Sequence, residues 1–150
     1  MKSTSFNQEQ QQDGKESIPV FGYELLRDIL IPSLLGKDTA EISYWAGKNL
    51  ARNFPLLTIQ EISSFFQEAA WGQLNVIDEN KNEMKLELSG PIVERRLHMN
   101  QDATFQLEAG FIAEQIEKQK HVVTEAHAET ILKKNIVLIT VRWDKHDEVL

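Results

Sequence analysis

The sequence of 150 residues contains no cysteine. This absence excludes disulfide bonds, cysteine-ligated zinc sites and iron–sulfur clusters, and enzymes that use a cysteine nucleophile. A chain of this length buries roughly 68–70% of the surface that its unfolded form exposes. It can therefore build an apolar core without covalent or metal cross-links.

Positive charge and long apolar runs are also scarce. The 16 Lys and Arg residues face 23 Asp and Glu residues, which gives a formal net charge of -7. Because phosphate neutralisation needs clustered basic side chains, this balance argues against a nucleic-acid partner. No run of 18 apolar residues occurs, so we expect no membrane span. The N-terminus lacks an apolar stretch of secretory length, and we expect a cytoplasmic protein.

Residues 1–17 contain one large apolar side chain, Phe6, among polar and flexible residues. Such a segment buries too little apolar surface to offset the entropy lost on ordering it. The sequence therefore predicts a disordered tail over 1–17 and a single domain over 18–150.

Apolar residues then recur at helical spacing. Asp38 and Thr58 each precede a glutamate by three positions, which is the spacing of a capping box at a helix N-terminus. Pro32 is expected to end or kink the first helix. Three helices are predicted, over 21–35, 38–53 and 58–71.

After Trp71 the apolar residues alternate with polar ones, which predicts hairpins over 74–88 and 122–143. Between them, residues 104–120 return to helical spacing with two apolar sides, a pattern typical of a helix sandwiched between two layers. The predicted fold class is α+β. A helical layer packs on an antiparallel sheet of about four strands, with a central helix between the two hairpins.

No phosphate-binding loop, nucleophile elbow or H-E-x-x-H zinc motif is present. The four histidines are scattered, and His121 and His127 would share one face of a strand. Six residues of strand span about 20 Å, which is too far for both imidazoles to bind one ion. We therefore expect no metal site, and we assign no cofactor and no catalytic residue.

Glu108 lies on the predicted central helix at the margin of its two apolar sides. An unpaired carboxylate there would be costly to remove from water. One interpretation is a general base or a ligand-orienting carboxylate with a perturbed pKa. The other, which we favour, is an ion pair with Arg95 or Arg96 that anchors the helix, or partial exposure.

Aromatic residues are concentrated on the predicted helices and could line a pocket for an apolar molecule. Aromatic residues at helical spacing are, however, more often part of the core. Tyr44 and Trp45 are adjacent and point about 100° apart, so one of them should meet another element or a partner chain. The aromatic residues are Tyr44, Trp45, Phe65, Phe66, Trp71, Phe105 and Phe111.

Several segments between residues 21 and 144 together carry a resemblance to a known family. They are YELLRDILIPSLLG, YWAGKNLARNFPL, FFQEAAWGQL, MKLELSGP, FQLEAGFIAEQIE and VLITVRWD. In these segments the chain resembles the uncharacterised YslB family of Bacillus-type bacteria. Through Gly72 before the first strand and Gly110-Phe111-Ile112 in the central helix, it is also similar to a superfamily of ligand-binding domains. That superfamily includes 4-vinyl reductase domains, TRAPP vesicle-transport subunits and haem-dependent nitric-oxide sensors.

The resemblance implies a helical layer against an antiparallel sheet, often a homodimer, and sometimes an internal apolar cavity. It implies no activity, because the chain lacks the cysteines and the Y-x-S-x-R haem motif on which those relatives depend. Fold analogy alone raises the expectation of binding without identifying a ligand.

The sequence thus predicts a non-enzymatic homodimer that binds a small apolar ligand or a protein partner through its helical layer. Two alternatives stay open. One is a hydrolase or isomerase that uses Glu108 with a base such as His98, which would require a polar cleft. The other is an adaptor that acts through the tail 1–17. The candidate ligand or interface residues are Tyr44, Trp45, Trp71, Phe105, Glu108 and Phe111.

Overall fold

A computed structural model describes the backbone of residues 16–148 and the side chains of residues 16–144. The predicted tail 1–17 lies outside the described residues, except for the exposed Glu16 and Ser17. The helices are α1 (Val20–Glu24, continued by a π-helical Leu25–Leu30 and by Ile31–Leu35), α2 (Thr39–Asn53), α3 (Ile59–Glu68), α4 (Pro91–Met99) and α5 (Gln106–Lys120). The strands are β1 (Gln73–Glu79), β2 (Glu83–Ser89), β3 (Val122–Ile131) and β4 (Ile136–Glu148).

The four strands form one antiparallel sheet in the order β1-β2-β4-β3. At its centre the fully buried Leu86 of β2 lies opposite the fully buried Ile139 of β4. One face of the sheet carries the core because apolar residues alternate with polar ones along β2 and β4. The predicted α+β class and the two hairpins are confirmed. The buried residues of this face include Leu74, Met84, Leu86, Leu88, Val137, Ile139, Val141 and Trp143.

Helix α5 is the predicted central helix. Every residue from 108 to 116 is buried, because α5 packs against α2 on one side and against β3 and β4 on the other. The two apolar sides read from the sequence therefore correspond to two packed layers.

Helices α2 and α5 cross where each presents a glycine to the other. A Cβ atom on Gly47 would lie 2.1 Å from the carbonyl oxygen of Leu107, and one on Gly110 would lie 2.0 Å from that of Tyr44. Since every other residue carries a Cβ atom, only glycine permits this approach. The two helices are thus in contact through their backbones.

Helix α4 was not expected, because Pro91 was interpreted only as the end of the first hairpin. Pro91 instead occupies the first turn of a helix, where the missing N–H is not needed. Val93 and Leu97, four residues apart, are buried and attach α4 to the core. The helix also carries Arg95 and Arg96, which the sequence pattern assigned to no helix or strand.

The ends of the first three helices differ in part from prediction. α1 continues through Pro32 to Leu35, the predicted end of the segment, since Pro32 lies in the first turn after the π-helical segment. Asp38 stands at the N-cap position of α2, but its side chain makes no capping hydrogen bond. Thr58 does cap α3, because its Oγ1 accepts a hydrogen bond of 3.1 Å from the Glu61 amide.

Strand β3 lies at an edge of the sheet, and side chains of α2 and α5 bond to three of its backbone groups. The three bonds join Tyr44 Oη to the Ala126 amide at 3.0 Å, Gln106 Nε2 to the Ala128 carbonyl at 3.2 Å, and Glu117 Oε1 to the Thr124 amide at 3.1 Å. The helical layer is therefore fastened to the sheet by hydrogen bonds as well as by apolar packing.

Candidate functional site

Helix α1 has the reverse of the usual orientation for an amphipathic helix. Its only buried residues are Glu24 and Asp28, which lie four residues apart on one side. Its large apolar side chains point away from the protein, whereas such residues normally face the core. We call these side chains the outer apolar face. Their exposed fractions are 54% for Phe21, 42% for Leu25, 59% for Leu26, 48% for Ile29, 45% for Leu30 and 72% for Leu34.

The inner side of α1 is held by a group of six charged residues, which we call the charge cluster. Its three carboxylates and three guanidinium groups balance, so no net charge is placed under the helix. A buried charge is tolerated only when it is paired and hydrogen-bonded. The charge cluster comprises Glu24, Arg27 and Asp28 from α1, Arg95 and Arg96 from α4, and Glu108 from α5.

Arg96 lies at the centre of the charge cluster and is 1% exposed. Its Nε and Nη2 atoms donate to the two oxygens of Asp28 at 2.8–3.1 Å, the bidentate geometry that arginine favours with a carboxylate. Nη2 also donates to the carbonyl oxygen of Thr104 at 2.9 Å. The guanidinium lies 4.2 Å from the ring centre of Phe105, within range of a cation–π contact. These contacts join α1 to α4 and to the start of α5.

Glu108 is fully buried. Its Oε1 accepts a hydrogen bond of 2.7 Å from Arg27 Nη2, and its Oε2 lies 3.6 Å from Arg96 Nη1. Neither Oε2 nor that Nη1 has a hydrogen-bond partner in the described part of the chain. The two atoms face each other as opposite charges. Glu108 is therefore held between two arginines.

The protonation of this region follows from burial and from charge. Burial is the largest single influence on the pKa of Arg27 and lowers it, but Glu108, Tyr23 and Asp28 together outweigh burial and raise the pKa. Arg27 Nη1 donates to the hydroxyl oxygen of Tyr23 at 2.9 Å. Burial raises the pKa of Tyr23 above its ordinary value, with a smaller opposing effect of Arg27. Arg27 thus stays charged and Tyr23 neutral at physiological pH.

The structure bears directly on the two interpretations of Glu108. The expected ion pair with Arg96 forms, at 3.6 Å, but the nearest partner of Glu108 is Arg27, 81 residues away, at 2.7 Å. Arg95 instead pairs with Glu24 through its Nε and Nη2 atoms. Sequence reasoning missed Arg27. The available signal was the occurrence of Glu24, Arg27 and Asp28 at spacings of three and four on one stripe of an otherwise apolar helix.

Tyr44 and Trp45 on α2 have different surroundings. Tyr44 is the one that meets another element, since its hydroxyl accepts from the Ala126 amide of β3. Trp45 is 57% exposed, and Ile42, three residues earlier on the same side of α2, is 43% exposed. Lys48 lies 5.0 Å from the Trp45 ring centre and 5.4 Å from that of Tyr44. The indole therefore remains at the surface of the helical layer.

The other aromatic candidates lie inside the protein. Phe111 stacks on Phe65 with 4.6 Å between ring centres and contacts Trp71 edge-on at 5.3 Å. Phe105 lies beneath Arg96, on the side of the charge cluster. The structure thus brings Glu108 and Phe105 together and places Trp71 and Phe111 in a separate aromatic group within the core.

The surface clefts are shallow and open. One cleft of about 280 Å³ lies between α2, α5 and β3 and is lined in part by Glu41, Tyr44, Gln106 and Glu125. Over residues 16–144, no three side chains of His, Asp or Glu are grouped so that they could hold a metal ion. None of the helices in the described chain is long and apolar enough to cross a membrane.

Comparison with known proteins gives three findings. Residues 20–142 match the family described as "Protein of unknown function (DUF2507)". The curated "Uncharacterized protein YslB" of Bacillus subtilis (strain 168) is 44% identical over 129 residues, which cover 86% of this chain and 87% of that protein. The predicted resemblance to the YslB family is confirmed.

The third finding concerns the fold. A crystal structure of a vinyl-4-reductase family protein from Methanocaldococcus jannaschii superposes with a TM-score of 0.59 and 20% sequence identity. The match covers 88% of this chain and 85% of that one. At this identity the likeness shows a shared fold alone.

Proposed function

Because the chain belongs to the DUF2507 family, whose function is unknown, we propose a function from its own geometry. The protein is a non-enzymatic homodimer that binds its second copy through the outer apolar face of α1. One observation carries this proposal: seven large apolar side chains, those of the outer apolar face and Ile31, are exposed on the same helix that buries Glu24 and Asp28.

The size and chemistry of the face support a protein partner. Helix α1 runs from residue 20 to residue 35, which is about 24 Å at 1.5 Å per residue. A continuous exposed apolar surface of this kind marks an interaction site more often than a solvent-facing one. Trp45 and Ile42 of α2 add further exposed apolar area, and tryptophan is enriched at the energetic centres of interfaces.

The same features favour a second copy of this chain as the partner. In a twofold dimer each chain contributes the same patch, so the patch must complement itself. An apolar face does so without charge repulsion, whereas the net charge of -7 would oppose contact through most other surfaces. A small apolar ligand has less support, since the rings of Trp71 and Phe111 pack against each other in the core instead of lining an open pocket.

Sedimentation equilibrium at tens of micromolar tests the dimer. We expect the wild type to sediment as a dimer and the double variant Leu26→Glu/Leu30→Glu to sediment as a folded monomer. Both leucines are about half exposed, so the substitutions leave the core untouched. Leu57→Glu is the matched control, because Leu57 is 78% exposed in the loop before α3. This control should remain dimeric.

Two results would overturn the proposal. One is a wild type that is monomeric throughout this concentration range. The other is a double variant that dimerises as tightly as the wild type, which would place the interface on another surface. Circular dichroism of each variant establishes that a change in mass does not arise from unfolding.

A further inference from the structure

The hydrophobic core draws on the rest of the chain and not on α1. None of the described residues of α1 belongs to the core cluster or packs against it as a partly buried apolar residue. The helix is attached by its charged side chains instead. The three attachments are Glu24 to Arg95, Asp28 to Arg96, and Arg27 to Glu108.

The free-energy cost of breaking these ion pairs depends on whether one partner is removed or the whole helix separates from the protein. Removing one partner leaves the other charge buried and unpaired, which is strongly destabilising. Releasing the whole helix instead returns its buried charged groups to water together and uncovers their partners, so that regained hydration offsets part of the lost attraction. Arg95 is already 54% exposed before release. The loss of apolar burial is limited as well, because the large apolar side chains that α1 exposes are already 37–72% accessible to water. Release of the intact helix is thus favoured over disruption of a single pair.

The connection between α1 and α2 provides a joint for this movement. α1 ends at Leu35, and a short 3-10 turn over Gly36–Asp38 leads into α2. Gly36 has φ of 60°, in the region that favours glycine, and a Cβ atom there would meet nothing within 4 Å. A change in direction at Gly36 therefore meets no packed neighbour at its Cβ position, and it breaks the hydrogen bond of 2.6 Å that Thr39 Oγ1 donates to the Gly36 carbonyl oxygen.

We propose that α1 is an arm that is docked by ion pairs and releases from the rest of the protein as one unit, and that this release regulates dimerisation. Release moves the outer apolar face out of its fixed position beside α2 and so removes the surface on which the second copy docks. The regulatory half rests on the proposed function. The release itself does not, because it depends only on contacts within one chain.

Hydrogen exchange of the full-length protein, read by mass spectrometry, tests the release. In the wild type, α1 amides should exchange at least about 100-fold faster than those of α5, since they open without unfolding the core. To exclude protection by a partner copy, the same measurement is made on Leu26→Glu/Leu30→Glu. Asp28→Asn should bring α1 close to unprotected exchange while α5 stays protected and a cooperative thermal transition remains. The matched control is Asp78→Asn, which removes the same charge from an exposed side chain on β1, away from the joint.

The outcomes separate the two halves of the proposal. Exchange of α1 and α5 in one cooperative step, or loss of α5 protection in Asp28→Asn, would overturn the release. If α1 is released in Asp28→Asn but its dimer constant stays within twofold of the wild type, the regulatory half is wrong. We expect the dimer dissociation constant of Asp28→Asn to be at least tenfold higher than that of the wild type. A monomeric wild type would overturn the proposed function and leave the release as measured.

Discussion

Replacing Gly110 with alanine should force α2 and α5 apart. The added Cβ atom would lie 2.0 Å from the carbonyl oxygen of Tyr44 and 2.9 Å from its carbonyl carbon. Ordinary van der Waals contact begins at 3.4 Å. Both obstructing atoms belong to the backbone of α2, so no change of side-chain rotamer relieves the clash. One helix must move by about 1.4 Å.

Two opposing effects set the magnitude. Alanine is favoured over glycine inside a helix by about 1 kcal/mol. Overpacking a close-packed interior costs about 1–3 kcal/mol when side chains alone must adjust, and more when the backbone must shift. Because α5 is buried over 108–116, a displacement also disturbs its contact with the sheet. We expect Gly110→Ala to lower the free energy of unfolding by at least about 2 kcal/mol.

Urea denaturation followed by circular dichroism measures this change. Gly47→Ala should behave similarly, since its Cβ atom would lie 2.1 Å from the carbonyl oxygen of Leu107. Gly22→Ala in α1 is the matched control, because nothing lies within 4 Å of its Cβ position. The free energy of unfolding of Gly22→Ala should equal that of the wild type or exceed it by up to about 1 kcal/mol. If Gly110→Ala were as stable as Gly22→Ala, the inferred backbone contact between α2 and α5 would be wrong.

Two further predictions concern ionisation and the charge cluster. Burial raises the pKa of Tyr23 above 10.0, so above pH 10 the unfolded chain loses the phenol proton before the folded protein does. The free energy of unfolding should therefore fall as the pH rises above 10, and it should fall less in Tyr23→Phe. Thermal melts of both proteins at pH 9 and pH 11 measure this difference. A decline of equal size in both proteins would contradict this assignment. Arg27→Met should cost about 3–5 kcal/mol because it removes the hydrogen-bonded partner of the buried Glu108 carboxylate and leaves it only the 3.6 Å contact with Arg96. The double variant Arg27→Met/Glu108→Gln should cost less than the sum of its single changes in urea denaturation, and strict additivity would mean that the two groups are not coupled.

Much of the fold could be predicted because its patterns are local. Alternation along Val137, Ile139 and Val141 identifies a half-buried strand, and the two apolar sides of residues 104–120 identify a sandwiched helix. Those signals depend only on neighbours in the chain. The same is true of the cap at Thr58, whose bond reaches three residues.

The orientation of α1 could not be predicted, because a helical pattern shows which residues share a stripe but not which stripe faces the protein. The stripe that faces the protein is decided by the ion pairs of Asp28 with Arg96 and of Arg27 with Glu108, whose partners lie 68 and 81 residues apart in the chain. Such pairings depend on the tertiary fold. Helix α4 was missed for a different reason, since Pro91 is compatible with both the end of a hairpin and the start of a helix.

The side chains that bond to the β3 edge also affect how copies of this protein can associate. An unprotected edge strand offers its amides and carbonyls to any other extended chain, which is the first step toward ordered aggregates. Here an incoming strand would have to displace Tyr44, Gln106 and Glu117 from three backbone groups. The edge is thereby protected against growth of the sheet from copy to copy. The contact between the helical layer and the sheet thus also limits sheet-to-sheet association at the β3 edge.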